Sequence, residues 1–279
     1  MNEKVAFITG ASRGIGAESA VALAKAGYTV AITARTLNDG EAHDHVGTSA
    51  LLPGSLEATR LAVEKVGGTA LCLQADILEP ESVVIAAHET LKQFGRVDLL
   101  FNNAVYQGTG NMETLMDVTP AQLLRIYQGN VFTPLELIKI LLPNMLSRGS
   151  GTVLNMVSHS AFTNPPAAAA DGGWGFAYPS SKAALSRMAG SLRAEHPDAG
   201  LRVYNIEPGL VMTEVMRLAG IDDAVMERFR PCTPATIAAV VAWLAENEPA
   251  QEWQPEELLR APAIAKELNL LKVPSLLGS

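Results

Sequence analysis

Thr9-Gly10-Ala11-Ser12-Arg13-Gly14-Ile15-Gly16 joins a short apolar run, Val5 to Thr9, to a helical pattern over Ile15 to Lys25. A strand that enters a helix through glycines opens a βαβ unit, and a second strand pattern at Thr29 to Thr33 completes it. The glycines allow a tight turn and let a ligand approach the backbone without meeting a Cβ, while the first amides of the helix offer a seat for phosphate. Three residues separate Gly10 from Gly14, unlike the G-x-G-x-x-G fingerprint, so the loop by itself also fits an ordinary strand-to-helix turn. Gly10, Ser12, Arg13, Gly14, Ile15 and Gly16 are its candidate ligand contacts.

The same rhythm continues outward. Strand patterns follow at Ala70 to Gln74, Val97 to Phe101, Thr152 to Val157 and Arg202 to Ile206, with helix-like segments between nearly all of them. Six strands joined by helical crossovers predict an α/β fold, a doubly wound and mainly parallel sheet with helices on both faces and a ligand at the strands' carboxyl ends. The 279 residues fit one domain, 1–279. Two segments break the rhythm and read as insertions, near 36–55 and 161–177, and the tail 247–279 is atypical, with Pro249, Pro255 and Pro262. Pro255 to Leu271 reads as a helix and turn, with no strand.

Composition narrows the partners. A net charge of -8 argues against a phosphate-backbone footprint, so a small molecule is expected and nucleic acid is not. Cys72 and Cys232 are too few for a disulfide framework or a four-ligand zinc site. No export signal or membrane-length apolar stretch is visible, and the expectation is a cytoplasmic protein. His43-Asp44-His45 has no companion ligand cluster and reads as a polar loop, so no metal is expected.

The second strand ends Ile32-Thr33-Ala34-Arg35, with no acid. A carboxylate there would bind the ribose hydroxyls of NAD, whereas arginine accommodates a 2′-phosphate in bidentate geometry. Arg13 and Arg35 therefore favour NADP(H) over NAD(H), unless Asp39, Glu41 or Asp44 folds back.

Tyr178-Pro179-Ser180-Ser181-Lys182 begins a helical stretch, and its spacing puts Tyr178 and Lys182 on one face. Bringing a phenol from a pKa of roughly 10 to neutrality takes about 4 kcal/mol. An ammonium in open water supplies too little, so such a pair needs a partly desolvated site. Tyr and Lys at this spacing also occur on ordinary amphipathic helices. Ser158 is expected at the carboxyl end of the strand from Thr152, with Ser160 close enough to compete for its role.

Together these motifs resemble a short-chain dehydrogenase/reductase of the non-extended branch, whose sheet is of the Rossmann type. The likeness covers residues 4 to about 215, through Thr9 to Gly16, Asp76, Asn102-Asn103-Ala104, Asn130, Ser158, Tyr178 with Lys182, and Pro208-Gly209 followed by Thr213. It implies an oxidoreductase, such as a carbonyl reductase, moving a hydride between nicotinamide and a carbonyl or secondary alcohol. Tyr178 would be the general acid or base, and Ser158 would polarise the substrate oxygen. Lys182 would bind the nicotinamide ribose and lower the Tyr178 pKa, and Asn130 would hold a proton-relay water. Asp76 and Ile77 would lie at the adenine end, Asn103 and Ala104 on the cofactor-facing loop, and Pro208, Gly209, Val211 and Thr213 near the carboxamide. A homo-oligomer, dimer or tetramer, is common among such proteins.

Three departures qualify the likeness: Val105 replaces the usual glycine, Ser158 and Tyr178 are unusually far apart, and the usual terminal strand is missing. The long approach loop, with Trp174, is expected to shape the entrance, and Leu210, Met212, Met216 and Trp174 suggest a modest apolar alcohol or ketone. A nucleotide-sensing or scaffold protein of the same fold would be expected to have a damaged tetrad, whereas Asn130, Ser158, Tyr178 and Lys182 are all present. Epimerisation or dehydration on the same fold is opposed by glycine spacing and chain length.

Overall fold

A computed structural model describes residues 4–45, 48–213, 232–250, 253, 258–270 and 275. Its main sheet is built from β1 (Lys4–Thr9), β2 (Tyr28–Ala34), β5 (Ala70–Gln74), β6 (Leu99–Asn102), β7 (Gly151–Met156), β8 (Leu201–Glu207) and β9 (Leu258–Arg260). The order is β5-β2-β1-β6-β7-β8-β9, and every neighbouring pair is parallel. The chain winds outward from β1 in one direction, then returns to wind in the other from β6. The carboxyl ends of β1 and β6 thus flank the crevice where such sheets bind ligands.

Alternation along the strands divides the interior in two. Ala6 and Ile8 of β1 join one core with α1 (Gly14–Lys25), α2 (Leu56–Lys65) and α7 (Pro234–Glu246). Val5 and Phe7 join the other, against α3 (Pro80–Phe94), α5 (Thr133–Arg148) and α6 (Ala177–Glu195). A parallel sheet covered on both faces needs apolar residues at successive positions, and Val5 to Ile8 are all buried.

Three expectations are corrected. The tail does contain a strand: Leu258–Arg260 pairs with Asn205 to Glu207 before α8 (Ala261–Glu267). The 36–55 insertion contains an antiparallel hairpin, β3 (Ala42–His45) with β4 (Thr48–Leu51). The main sheet consequently has seven strands where six were expected. Both omissions are very short strands, stabilised by pairing more than by any pattern of their own.

At the opposite end of the sheet from the crevice, Asp98 ties several segments together. It accepts hydrogen bonds from Arg96 at 2.8 and 2.5 Å and from the Val5 amide at 2.8 Å, with Arg148 at 3.4 Å. Asp98→Ala should cost about 2–3 kcal/mol, because two partly buried guanidiniums and an amide lose their acceptor. Urea unfolding measures that loss; coenzyme binding at the far end of the sheet should be retained.

Candidate functional site

The phosphate loop needs its glycines at two kinds of position. Gly10 and Gly14 adopt φ of +69° and +56°, values that L side chains resist. At Gly16 a Cβ would lie 2.2 Å from the Gly10 carbonyl oxygen, so any side chain would force the turn open. Asn103 fastens this turn to the β6 loop: its Nδ2 donates to the Thr9 carbonyl at 2.9 Å and the Gly10 carbonyl at 3.2 Å. The Asn103 and Ala104 amides also donate to Thr9 Oγ1.

Helix α1 starts without a side-chain cap and without an acid in its first turn, whereas α2 is capped by Ser55 and α4 (Pro120–Tyr127) by Thr119. Gly14, Ile15 and Gly16 line the crevice at this uncapped end. An uncapped helix N-terminus with no competing carboxylate suits an anionic phosphate, so the residues present fit a dinucleotide.

The crevice is one continuous cleft of about 530 Å³. All the residues that the sequence reading assigned to the cofactor line it: Gly10, Ser12, Arg13, Gly14, Ile15, Gly16, Arg35, Asp76, Ile77, Asn103, Ala104, Tyr178, Lys182, Pro208, Gly209, Val211 and Thr213. Asp76 also opens the turn before Pro80, accepting from the Leu78 amide through Oδ1 at 2.9 Å. Val105 joins the lining, and the only non-glycine residue with positive φ among those described is Asn269, so the missing glycine imposes no left-handed strain.

At the end of the cleft beside β2, Arg13 donates from Nε to the Pro53 carbonyl at 3.0 Å, and from Nη2 to the Gly54 carbonyl at 3.0 Å and Thr36 Oγ1 at 3.1 Å. Glu41 turns back within the insertion, where the amides of Asn38 and Leu37 hold its carboxyl below the usual range. Neither Asp39 nor Glu41 lines the cleft; the Asp44 side chain is outside the described set.

At the other end, Tyr178 sits in the first turn of α6 with Lys182 one turn on. Lys182 is 2% exposed; its Nζ lies 5.9 Å from the Tyr178 ring centroid and donates to the Met156 carbonyl at 2.8 Å. Burial disfavours its ammonium and lowers its pKa to about 8. The Tyr178 phenol is held above its ordinary value by burial, with a hydrogen bond to Ser158 acting in the opposite direction. Burial outweighs that hydrogen bond, so the phenol keeps its proton at neutral pH in this arrangement.

Ser158 contacts Tyr178 and shares a 2.9 Å hydrogen bond with Ser160. Strand β7 ends at Met156, and a 3₁₀ turn, His159–Ala161, leaves His159 exposed instead of continuing the strand's alternation. Asn130 lies in a π-helical turn, Gln128–Phe132, between α4 and α5. Pro134 has no N–H for the Asn130 carbonyl, which breaks the α pattern there. The Asn130 side chain accepts from the Tyr106 amide at 2.8 Å and donates to Ser181 Oγ at 3.1 Å, so it braces α6 from behind the cleft lining.

The sequence reading missed Tyr106, Gln107, Gly108 and Asn111, which extend the lining beyond Val105. It also missed a buried ladder across β6, β7 and β8, in which Asn102 donates to Asn155 at 2.9 Å and Asn155 to Asn205 at 3.4 Å. Three asparagines near strand ends were the available signal. The 163–176 loop, Trp174 included, lies outside the lining; it abuts the 111–113 segment, where a Cβ on Gly175 would meet the Glu113 carbonyl at 2.4 Å. Thr213 is the last described residue before 214–231, so Met216 falls outside the described residues.

Among the described residues, no helix is long and apolar enough to cross a membrane, and no three His, Cys, Asp or Glu side chains group to hold a metal ion.

The winding, the uncapped phosphate turn and the Tyr178–Lys182 end meet in one family, and the chain belongs to it: residues 4–223 match the short chain dehydrogenase model. It is an oxidoreductase of the class acting on CH–OH or C=O groups. An uncharacterised oxidoreductase of Methylorubrum extorquens is 31% identical, covering 92% of this chain and 96% of its own. The 7alpha-hydroxysteroid dehydrogenase of Escherichia coli K12 is 29% identical over 78% of this chain and 74% of its own. Among solved structures, a metagenomic short-chain oxidoreductase in complex with NADP has a TM-score of 0.67 at 27% identity, covering 88% of this chain and 91% of its own. A 7 alpha-hydroxysteroid dehydrogenase complexed with NADH and 7-oxo glycochenodeoxycholic acid reaches 0.71 at 26%, covering 92% of each chain.

Proposed function

We propose that the protein is an NADP(H)-dependent carbonyl reductase or secondary-alcohol dehydrogenase in which Tyr178 is the general acid or base. The carrying observation is the continuity of the cleft, from the uncapped α1 terminus to a buried Lys182 beside Tyr178. When bound, the nicotinamide supplies or accepts the hydride at the substrate's carbonyl carbon. In the reducing direction Tyr178 gives its phenolic proton to the substrate oxygen, and burial keeps that proton in place until needed. Ser158, steadied by Ser160, donates a second hydrogen bond to that oxygen. Lys182 holds positive charge near the phenol and fixes the nicotinamide ribose, oriented by the Met156 carbonyl. Asn130 braces this helix, and its main-chain carbonyl, denied an α-helical donor by Pro134, suits a water that returns protons to Lys182.

The NADP(H) preference rests on Arg35 in the lining just past the end of β2, a strand that ends Ile32-Thr33-Ala34 with no carboxylate of its own. Arg35→Ala should raise the Kd of NADPH about tenfold while changing that of NADH less than about threefold, because only the former has a phosphate to lose. Fluorescence titration of both coenzymes checks this. Tyr106, Met112, Leu210 and Val211 give the substrate end an apolar wall, which suits an apolar alcohol or ketone. One relative is a 7alpha-hydroxysteroid dehydrogenase, and a solved structure of such an enzyme holds 7-oxo glycochenodeoxycholic acid, a steroid ketone. Screening NADPH oxidation against a panel of ketones and aldehydes tests the assignment; no turnover with any carbonyl or alcohol would oppose it.

A further inference from the structure

The 36–55 insertion is fastened to the phosphate loop at several points. Arg13 spends three hydrogen bonds on the Pro53 carbonyl, the Gly54 carbonyl and Thr36 Oγ1. Gly54 takes φ +94°, and a Cβ there would lie 2.5 Å from the Ser12 carbonyl oxygen and 3.1 Å from the Arg13 Cβ. Immediately beyond, Ser55 caps α2, and Thr59 Oγ1 donates to the Ala11 carbonyl at 2.8 Å. The amides of Leu56 and Glu57 donate to the carbonyls of Thr36 and Leu37, closing the base of the insertion. Both ends of the hairpin-bearing segment are thereby locked against residues 11–13.

We propose that Arg13 is a positioning residue: it clamps the hairpin-bearing insertion onto the phosphate loop, and the clamped loop receives the dinucleotide whatever the 2′ substituent. This rests on the coenzyme reading above. The guanidinium bonds to two adjacent carbonyls and a hydroxyl, which fixes the Ser12-Arg13 backbone at the uncapped start of α1. A planar fork can bridge such a set, whereas a lysine ammonium cannot hold the same geometry. Discrimination at the 2′ position is then left to Arg35.

The test compares Kd values for NADPH and NADH by nicotinamide fluorescence in the wild type, Arg13→Ala, Arg13→Lys and Gly54→Ala, with ligand-free melting curves and limited proteolysis alongside. Loss of the clamp should weaken both coenzymes by a similar factor, about tenfold, in all three variants. Cleavage within 36–55 should increase while the melting midpoint stays near that of the wild type. Gly54→Ala keeps the Arg13 charge, and Arg13→Lys keeps a cation, so neither should be protected. The proposal is overturned if Arg13→Ala weakens NADPH alone, Arg13→Lys restores it and Gly54→Ala binds normally; Arg13 is then a direct phosphate ligand. It is equally overturned if melting falls sharply while both Kd values are unchanged. Should the wild type itself bind NADH at least as tightly as NADPH, the coenzyme reading fails, and parallel losses in the variants would still support the clamp.

Discussion

Replacing Tyr178 with Phe is expected to lower turnover by about 100-fold to 10,000-fold, the range for removing a positioned general acid, while NADPH still binds. Phenylalanine retains the ring in the first turn of α6 and removes only the hydroxyl. The phosphate loop, the Asn103 fastening and Arg35 are untouched, so the Kd for NADPH should stay within about threefold of the wild type. Loss of turnover without loss of binding separates proton transfer from coenzyme capture. Ser158 would keep its bond to Ser160, so the variant site should not collapse. Turnover equal to the wild type would assign the proton transfer elsewhere.

Lys182→Met has two expected effects, with separate readouts. Turnover should fall by about 100-fold or more, since the charge that favours proton transfer at Tyr178 is removed. Stability should respond to pH with a definite sign. Burial lowers the folded-state pKa of Lys182 from 10.5 to about 8, so the charged form is the one that folding disfavours. Below about 8 the lysine is protonated in both states and the wild type carries the full penalty. As pH rises from there to the unfolded value, the unfolded chain holds the extra proton, and the wild type gains stability relative to Lys182→Met. The whole gain is about 3 kcal/mol, and urea unfolding at pH 7 and pH 10 should recover most of it. A stability difference that is flat with pH would mean that the ammonium is not desolvated.

The fold was legible where residue type and spacing both spoke. Val5 to Thr9 and Thr29 to Thr33 are apolar enough to be buried on both faces, and glycines punctuate them. Leu258–Arg260 is three residues long and leads at once into Ala-Pro, so only its pairing with β8 makes it a strand. The hairpin at 42–51 was hidden for the same reason, its Ala-His-Asp-His carrying no alternation of its own. The residues assigned to the cofactor were legible as one cleft lining because they follow the carboxyl ends of parallel strands, which the winding brings to one edge of the sheet. What escaped was supplied by the backbone or across long separations: the Met156 carbonyl on Lys182, the Pro53 and Gly54 carbonyls on Arg13, and Tyr106 and Ser181 on Asn130. Carbonyls carry no residue-type signal. The sign of the Tyr178 shift in this arrangement comes from burial, which spacing along a helix does not reveal.

The central claim is that this cleft couples NADPH oxidation to reduction of a carbonyl through Tyr178. Its most direct measurement is deuterium transfer from NADPH labelled at nicotinamide C4 to a panel of ketones and aldehydes, read by mass spectrometry for the wild type and Tyr178→Phe side by side. The account predicts label on the carbinol carbon of at least one product with the wild type, and almost none with a variant that still binds NADPH. Equal transfer by both proteins, or no transfer by a wild type saturated with NADPH, would contradict it.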